Sequence, residues 1–483
     1  MTKPPYLALL TATIWLSQAA AIAAEPTRSV QDIDPLNLAT TMTIAAPLTA
    51  NTAEINAYLQ AHHDLQRFSG TVLIMRDGDT LFANSYGMAD LTHQVPNALN
   101  TKFRIGSITK QFTAAAILQL QDRGLLHVNA PLTTYLPDYP YPEVTLHHLL
   151  THTAGVPNMT SFPDYPQWMR LSTTLDEVIA RFVDRPLEFT PGEQFSYSNS
   201  GYVLLTKVIE AVSGQSYDDY LRDRLLAPIG MDNTGYEQPL AIIDGMASGY
   251  VGGDDGYRQA EYINMAVPQG AGSLYATAGD LARWNQFLFD EARDPMILSD
   301  DAVAAMMNPA AQMDPENPDM FYGYGLVINQ AEPRRIGHGG GINGFVSSLG
   351  HRPEQNQAII ILSNVATASL DKISGDLAAI LAGEPYDLPA LPDAVALDPA
   401  LYERYVGTYQ LSPEFAIAIT SESGQFYGQG TGQPKLALYP SSETEFFARA
   451  FELKITFNVD EDGVVESLTL LQGGQELVAL RNP

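Results

Sequence analysis

Between Gly106 and Asp122 the chain reads GSITKQFTAAAILQLQD, a run of helix formers that Gly124 can end and that is apolar almost all round. A helix without a polar face has to be enclosed by the rest of the molecule. Whatever this chain folds into must therefore wrap a central helix. One cation interrupts that surface: Lys110, three residues after Ser107 and one turn away on the same face. An amine so placed is useful twice over. Unprotonated, it takes a hydroxyl proton; protonated, it lowers the pKa of a neighbouring base. The Ser107 N–H, at the helix start, can serve an oxyanion. The pattern is not specific alone, since Ser107 suits a helix N-cap equally well and Ser369/Lys372 repeats the spacing on what reads as a surface helix.

Enclosing such a helix takes chain, and 483 residues at 45% hydrophobic and 17% charged supply it. A prior of about 150 residues per domain divides this length into roughly three units. The formal charge of −29 repels nucleic acid and anionic lipid, so neither is an expected partner. Cys is absent, which removes disulfides, thiolate catalysis and zinc–thiolate sites. Lys3, the apolar stretch Leu7–Ala24 and its small-residue end read as a signal peptide over residues 1–24. The expected product is secreted or periplasmic, with no membrane span in the mature chain.

Along the mature chain, residues 51–66 predict an amphipathic helix with Ile55, Tyr58 and Leu59 on one face and His62 and His63 at its end, solvated or complementing the helix dipole. Gly70–Met75 and Thr80–Tyr86 form a hairpin, residues 105–315 are mostly helical, and strands return at Tyr322–Asn329, Arg335–His338, Phe345–Leu349 and Ala358–Leu362 before a helix near 366–382. That order predicts an α+β fold: one antiparallel sheet closed by both ends of the domain, flanked by helices, with a helical insertion against it. The domain spans residues 25–384. A Pro-rich linker follows at 385–399, then short strands over 400–483 that predict a small all-β barrel.

Negative signals narrow the chemistry. G-x-S-x-G, H-E-x-x-H, Walker-type loops and a strand-borne G-x-G-x-x-G are all missing. His148 and His152 have a metal-compatible spacing, but without Glu or Cys company they read as packing or loop-positioning residues, and no metal or cofactor is expected. Two further elements accompany Ser107 and Lys110: Tyr197-Ser198-Asn199 in a turn entering a helix, and His338-Gly339-Gly340-Gly341 ending a strand, where glycines let a ligand backbone approach. Tyr262/Asn264 copies the Y-x-N spacing without that setting.

With these motifs in order, S-x-x-K, Y-x-N and H-x-G, and with LLTHTAGVP at 149–157, YSNSGYVLL at 197–205 and GAGSLYATAGDLARW at 270–284, the chain resembles the serine β-lactamase and penicillin-binding peptidase superfamily, class C-like branch, over about residues 51–383. Its tail, with YVGTY at 405–409, resembles the lipocalin-like barrels appended to that branch. The resemblance implies that Ser107 is the nucleophile, that Lys110 and Tyr197 share general-base work, and that Asn199 fixes Lys110 and bonds the substrate amide. It also implies an oxyanion hole from the N–H groups of Ser107 and Gly341, beside Gly340. For a phenol to act as base near neutrality its pKa must fall by about 3 units, or about 4 kcal/mol. A Lys110 ammonium about 4 Å away supplies that at an effective dielectric near 20, with a protonated His338 in reserve. Typical β-lactamases carry Lys at position 338; His there resembles D-specific peptidases and favours D-amino-acid peptides or amides over β-lactams. Arg334 and Arg335 either meet a substrate carboxylate or are solvated edge charges. A carboxylesterase or weak β-lactamase of the same fold, and a penicillin-binding protein that acylates and stalls, are the alternatives.

Overall fold

The structure is a computed structural model, and it describes residues 50–482 except 254, 255, 413, 414, 434, 450, 451, 461, 473 and 474. The signal-peptide reading at 1–24 lies outside the described residues. Eight antiparallel strands form the main sheet, in the order Ala311–Asp314, Asn317–Tyr322, Val327–Asn329, Arg335–Ile342, Phe345–Arg352, Gln357–Ser363, Gly70–Arg76, Asp79–Tyr86. The N-terminal hairpin thus pairs with the last strand of the domain, Val72 facing Ile361 and Ile74 facing Ile359. Both ends of the domain close one sheet, as the strand order predicted.

Strand alternation builds two cores from those residues. Val72, Ile74, Ile359 and Ile361 face one way and pack with Ile55, Tyr58 and Leu59 of the helix Ala50–Asp64 and with Ile373, Leu377 and Ile380 of the helix Leu370–Ala382. Leu73, Ile360 and Leu362 face the other way and join the large core around the central helix, Thr109–Asp122. That helix is buried from Thr109 to Leu120. Its polar side chains survive burial mostly through hydrogen bonds, with Gln111 Nε2 left without a partner. Thr113 donates to the Gly270 carbonyl at 2.7 Å, Gln111 accepts from Trp284 at 2.8 Å, and Gln119 accepts from Tyr220 at 2.8 Å.

Several local expectations shift. The 105–315 segment is less helical than its composition implies, holding strands at Gly235–Tyr236, Tyr250–Gly253, Gly256–Gln259 and Leu274–Ala276. The expected strand 322–329 is two strands, split by a turn at Gly323–Leu326 whose Gly325 has φ +71°. The glycines after His338 do not end their strand; it runs to Ile342 with Gly340 paired to Ser347.

His62 is not solvated. It is 2% exposed, edge-on to Tyr58, and neither ring nitrogen has a partner. The helix Leu370–Ala382 and the Tyr386 segment cover the end that sequence left open. Burial, aided by the cations Arg67 and Lys372 and opposed by Asp376, pushes its pKa down to about 4. The unfolded chain therefore binds a proton below pH 6.5 that the folded chain refuses, and stability falls as pH drops from 6.5 toward 4. In His62→Leu that decline should shrink by about 2–3 kcal/mol between pH 7 and 4.5, read from denaturant titrations of both proteins. Equal slopes would mean that His62 ionises freely in the fold.

After Ala382 the chain has no regular structure over 384–398, and Val395 N–H bonds the Pro440 carbonyl at 2.9 Å. Eight strands from Gly407–Ser412 to Gln475–Arg481 then close a barrel, first strand paired with last. The short helix Pro399–Tyr405 stacks Tyr402 on Phe426 and Tyr405 on Phe457, so aromatic rings fill the interior. Glu452 of the barrel acts electrostatically on Tyr58 and Arg67, on the side of the N-terminal helix. None of the helices in the described residues is long and apolar enough to cross a membrane.

Candidate active site

Gly106, at φ +48°, turns the chain from the short strand Phe103–Arg104 into a 3-10 turn, Gly106–Ile108, that feeds the central helix. A side chain there would strike the Gly341 backbone nitrogen, 2.8 Å from its Cβ position. Ser107 thus stands between the helix start and the glycine strand. At Gly340 a Cβ would lie 2.0 Å from the Ile105 carbonyl oxygen and 2.4 Å from Ser347 Oγ, whereas at Gly341 the space is open. Glycine is required where strand and turn touch, and the strand then opens onto the cleft.

Lys110 is wholly buried, and its Nζ has three oxygen neighbours: Ser107 Oγ at 3.1 Å, Asn199 Oδ1 at 2.8 Å and the Ala271 carbonyl at 2.9 Å. Two of these can only accept. As an ammonium it donates to all three; as a neutral amine it keeps its two N–H bonds to Asn199 and Ala271 and can turn its lone pair to the Ser107 hydroxyl. Burial holds the Lys110 pKa well below the ordinary lysine range, in favour of that form.

Tyr197 shares a hydrogen bond with Ser107, and Lys110 Nζ lies 4.8 Å from its ring centre. The ring packs 4.2 Å from His152 and 6.2 Å from both Tyr322 and His338. Part of Tyr197 is open to the cleft, but the protein packed round it pushes its pKa up, not down. The expected lowering by an ammonium is not found: burial raises the phenol and at the same time pushes the Lys110 pKa down. His338 reverses expectation likewise. It is 8% exposed, Nδ1 faces the Gly339 carbonyl, Nε2 lies 3.0 Å from the Tyr322 hydroxyl, and burial above all pushes its pKa down to about 3. It is a neutral imidazole and holds no charge in reserve.

Asn199 opens the helix Asn199–Ser213. Its Oδ1 fixes Lys110, while its Nδ2 donates at 3.4 Å to Asn158 and 3.3 Å to Thr160, long bonds that a substrate carbonyl can replace. Arg334 and Arg335 stand apart. Arg334 faces Glu354 at 3.5 Å; Arg335 donates to Ser348 at 3.1 Å and faces Asp371 at 3.7 Å. Alternation along the strand puts Arg335 on the sheet face opposite His338, so the edge-charge reading describes both.

Sequence reasoning missed four participants, and a fifth, His152, takes the packing and loop-positioning role read for it. The Ala271 carbonyl is a backbone group of the 3-10 turn Gln269–Ala271, inside the quoted 270–284 stretch. Asn158 accepts from the Asn199 N–H at 3.1 Å, with Thr160 beside it. His152, at φ +59°, accepts from the Ser198 N–H at 3.1 Å and braces Tyr197. Its neighbours His147 and His148 bond Tyr324 and Thr145, so the three histidines do separate jobs. Tyr322 had no motif to mark it. The rival motifs stay outside: Tyr262 is 56% exposed, Asn264 accepts from Ala266, and Lys372 pairs with Asp376.

Known proteins resemble this chain in sequence and fold. The Beta-lactamase family profile matches residues 55–383, and that of a domain of unknown function (DUF3471) matches 391–479. Penicillin-binding protein 4* of Bacillus subtilis (strain 168) is 32% identical over 441 residues, covering 86% of this chain and 95% of the relative. Among solved structures, a penicillin binding protein from Bacillus halodurans has TM-score 0.59 at 29% identity, over 66% of this chain and 98% of that one. D-amino acid amidase from Ochrobactrum anthropi SV3 has TM-score 0.61 at 24% identity, over 69% and 99%.

Proposed function

Because the chain belongs to the Beta-lactamase family, we propose that it is a serine hydrolase that acylates Ser107 and cleaves amide or peptide bonds of D-amino-acid substrates. The observation that carries this reading is the Lys110 amine held between Asn199 Oδ1, the Ala271 carbonyl and Ser107 Oγ. As Ser107 attacks the substrate carbonyl, its proton passes to Lys110 Nζ. The N–H groups of Ser107 and Gly341 receive the oxyanion. Tyr197, held as a phenol, gives its proton to the departing amine and takes one back from Lys110. Water then attacks the ester, its proton travels the same two groups in reverse, and Ser107 leaves.

Substrate class follows from the wall at His338. A neutral imidazole there offers no fixed charge to a β-lactam carboxylate, which favours D-amino-acid amides and peptides and makes efficient β-lactam turnover unexpected. An ester, with its better leaving group, should be cleaved by the same route. Two relatives are named for penicillin binding and one structural neighbour for D-amino acid amide hydrolysis, which fits this class. Export directed by residues 1–24 would put the enzyme among such substrates, and sequencing the N-terminus of the exported protein tests that part.

The test compares kcat/KM for D-alanine amides with that for p-nitrophenyl esters, alongside fluorescent penicillin. Amide turnover with transient or no label supports the amidase. Ester turnover without amide turnover assigns a carboxylesterase, and persistent label without turnover assigns a stalled penicillin-binding protein.

A further inference from the structure

The turn that carries Ser107 touches the glycine strand at two points, and both are contacts of exclusion. The Ile105 carbonyl oxygen fills the notch that Gly340 leaves, and Gly106 lies against the Gly341 backbone nitrogen. Such contacts stop turn and strand from coming closer; they do nothing to stop them from drifting apart. One side chain supplies that restraint. Ser347, on the strand Phe345–Arg352 and directly opposite Gly340, places its Oγ 2.8 Å from the Ile105 carbonyl. A carbonyl only accepts, and among the described residues Ser347 Oγ has no second partner, so its proton lies on this bond. Ser347 is 3% exposed, which keeps water from competing. Among the described residues no other hydrogen bond joins residues 105–108 to the two strands over 335–352.

The same carbonyl closes the turn itself, since it accepts the Ile108 N–H at 3.2 Å. On its other side the Ile105 N–H reaches the Leu274 carbonyl at 3.0 Å, just past the Ala271 carbonyl that holds Lys110. Ile105 thus joins the base side of the site to the glycine strand, and Ser347 is its tie to the latter. We propose that Ser347 is a positioning residue for acylation: its O–H holds the Ile105 carbonyl, and with it the Ser107 N–H, at a fixed distance from the Gly341 N–H, so that both donors meet one developing oxyanion. Without the tie the turn can recede from the strand, and an oxyanion seated on one donor loses the other. Neighbouring Ser348 is the natural control. It is 2% exposed and accepts a bond from Arg335 at 3.1 Å, but on the opposite face of the sheet, away from Ser107. The inference rests on the proposed acylation of Ser107.

The experiment measures kcat/KM for p-nitrophenyl acetate and the inhibition constant of phenylboronic acid in wild type, Ser347→Ala, Ser347→Thr and Ser348→Ala, each below its melting temperature. The boron bonds the Ser107 oxygen while the serine proton passes to Lys110, and a boron hydroxyl takes the oxyanion position, so the inhibitor reads the two donors without a leaving group. Ser347→Ala should lose about tenfold in kcat/KM, less than the roughly 10²–10³-fold for deleting an oxyanion donor outright. Its inhibition constant for the boronate should rise by the same factor. Ser347→Thr keeps the hydroxyl and should hold both values within about threefold of wild type. Ser348→Ala also loses a buried bond, yet should leave both at wild-type values. Wild-type behaviour of Ser347→Ala, an equal loss in Ser348→Ala, or a slower ester reaction with unchanged boronate affinity overturns the proposal. If Ser347→Ala does not fold, Ser347→Cys carries the same test, its weaker donor giving a loss of about threefold in both readings. If wild type neither cleaves the ester nor binds the boronate, the acylation of Ser107 fails and this role falls with it; if wild type does both, the variants decide Ser347 alone.

Discussion

Lys110→Met should lower kcat/KM for ester and amide substrates by about 10⁴-fold, the upper range for loss of a positioned base and about 5.5 kcal/mol in barrier. Labelling of Ser107 by fluorescent penicillin should vanish with it. Methionine matches the length of the lysine stem, so the buried volume stays filled and no cavity opens. The carbonyls of Asn199 and Ala271 lose their donors, which costs about 1–3 kcal/mol each, against relief from burying an amine. The variant should therefore fold, and its melting curve checks that. The pH dependence has a definite sign. The Lys110 pKa is depressed, so the unfolded chain binds a proton that the folded one releases, and stability rises with pH from the folded value toward 10.5. Activity rises over the acid side of the same range, as the amine becomes free. Both dependences should disappear in Lys110→Met, and activity within tenfold of wild type would remove Lys110 from the mechanism.

Gly340→Ala should be the most damaging single methyl in the site. Its Cβ would sit 2.0 Å from the Ile105 carbonyl, which is backbone and cannot rotate away. Either the glycine strand or the turn carrying Ser107 must shift. The expected loss is about 3 kcal/mol in stability, from overpacking. It is also about 10²–10³-fold in kcat/KM, since the Gly341 N–H would leave the proposed oxyanion position. Gly375→Ala is the contrast. It lies in the helix Leu370–Ala382 with nothing within 4 Å of its Cβ position, and should stabilise the protein by about 0.5–1 kcal/mol. Urea titrations and initial rates on one ester separate the two variants, and wild-type behaviour of Gly340→Ala would mean that strand and turn are not in the contact described.

The residues legible in the sequence share a physical trait: their relation is local. Ser107 and Lys110 lie three apart on a helix, so the helical period alone puts them on one face, and the apolar run around them announces burial. The alternating sheet residues Val72, Ile74, Ile359 and Ile361 were legible for the same reason. Arg335 shows where neighbourhood in sequence misleads. It stands three residues from His338, and an odd separation along a strand puts the two on opposite faces. His62 shows it at a helix end, where exposure depended on what the remote helix Leu370–Ala382 would cover. The Y-x-N and H-x-G motifs lie between these cases, for only their order along a resembling family joined them to Ser107.

The sequence by itself determined the central helix, the hydroxyl and amine upon it, the two-ended sheet and the barrel, because each follows from periodicity and residue type over a short span. Tertiary structure decided the charges. Enclosure by remote segments pushes Lys110 toward its free amine, Tyr197 toward its phenol and His338 toward its neutral imidazole, since protonation answers to local dielectric and hydrogen-bond partners, and these come from Ala271, Asn199 and Tyr322, far along the chain.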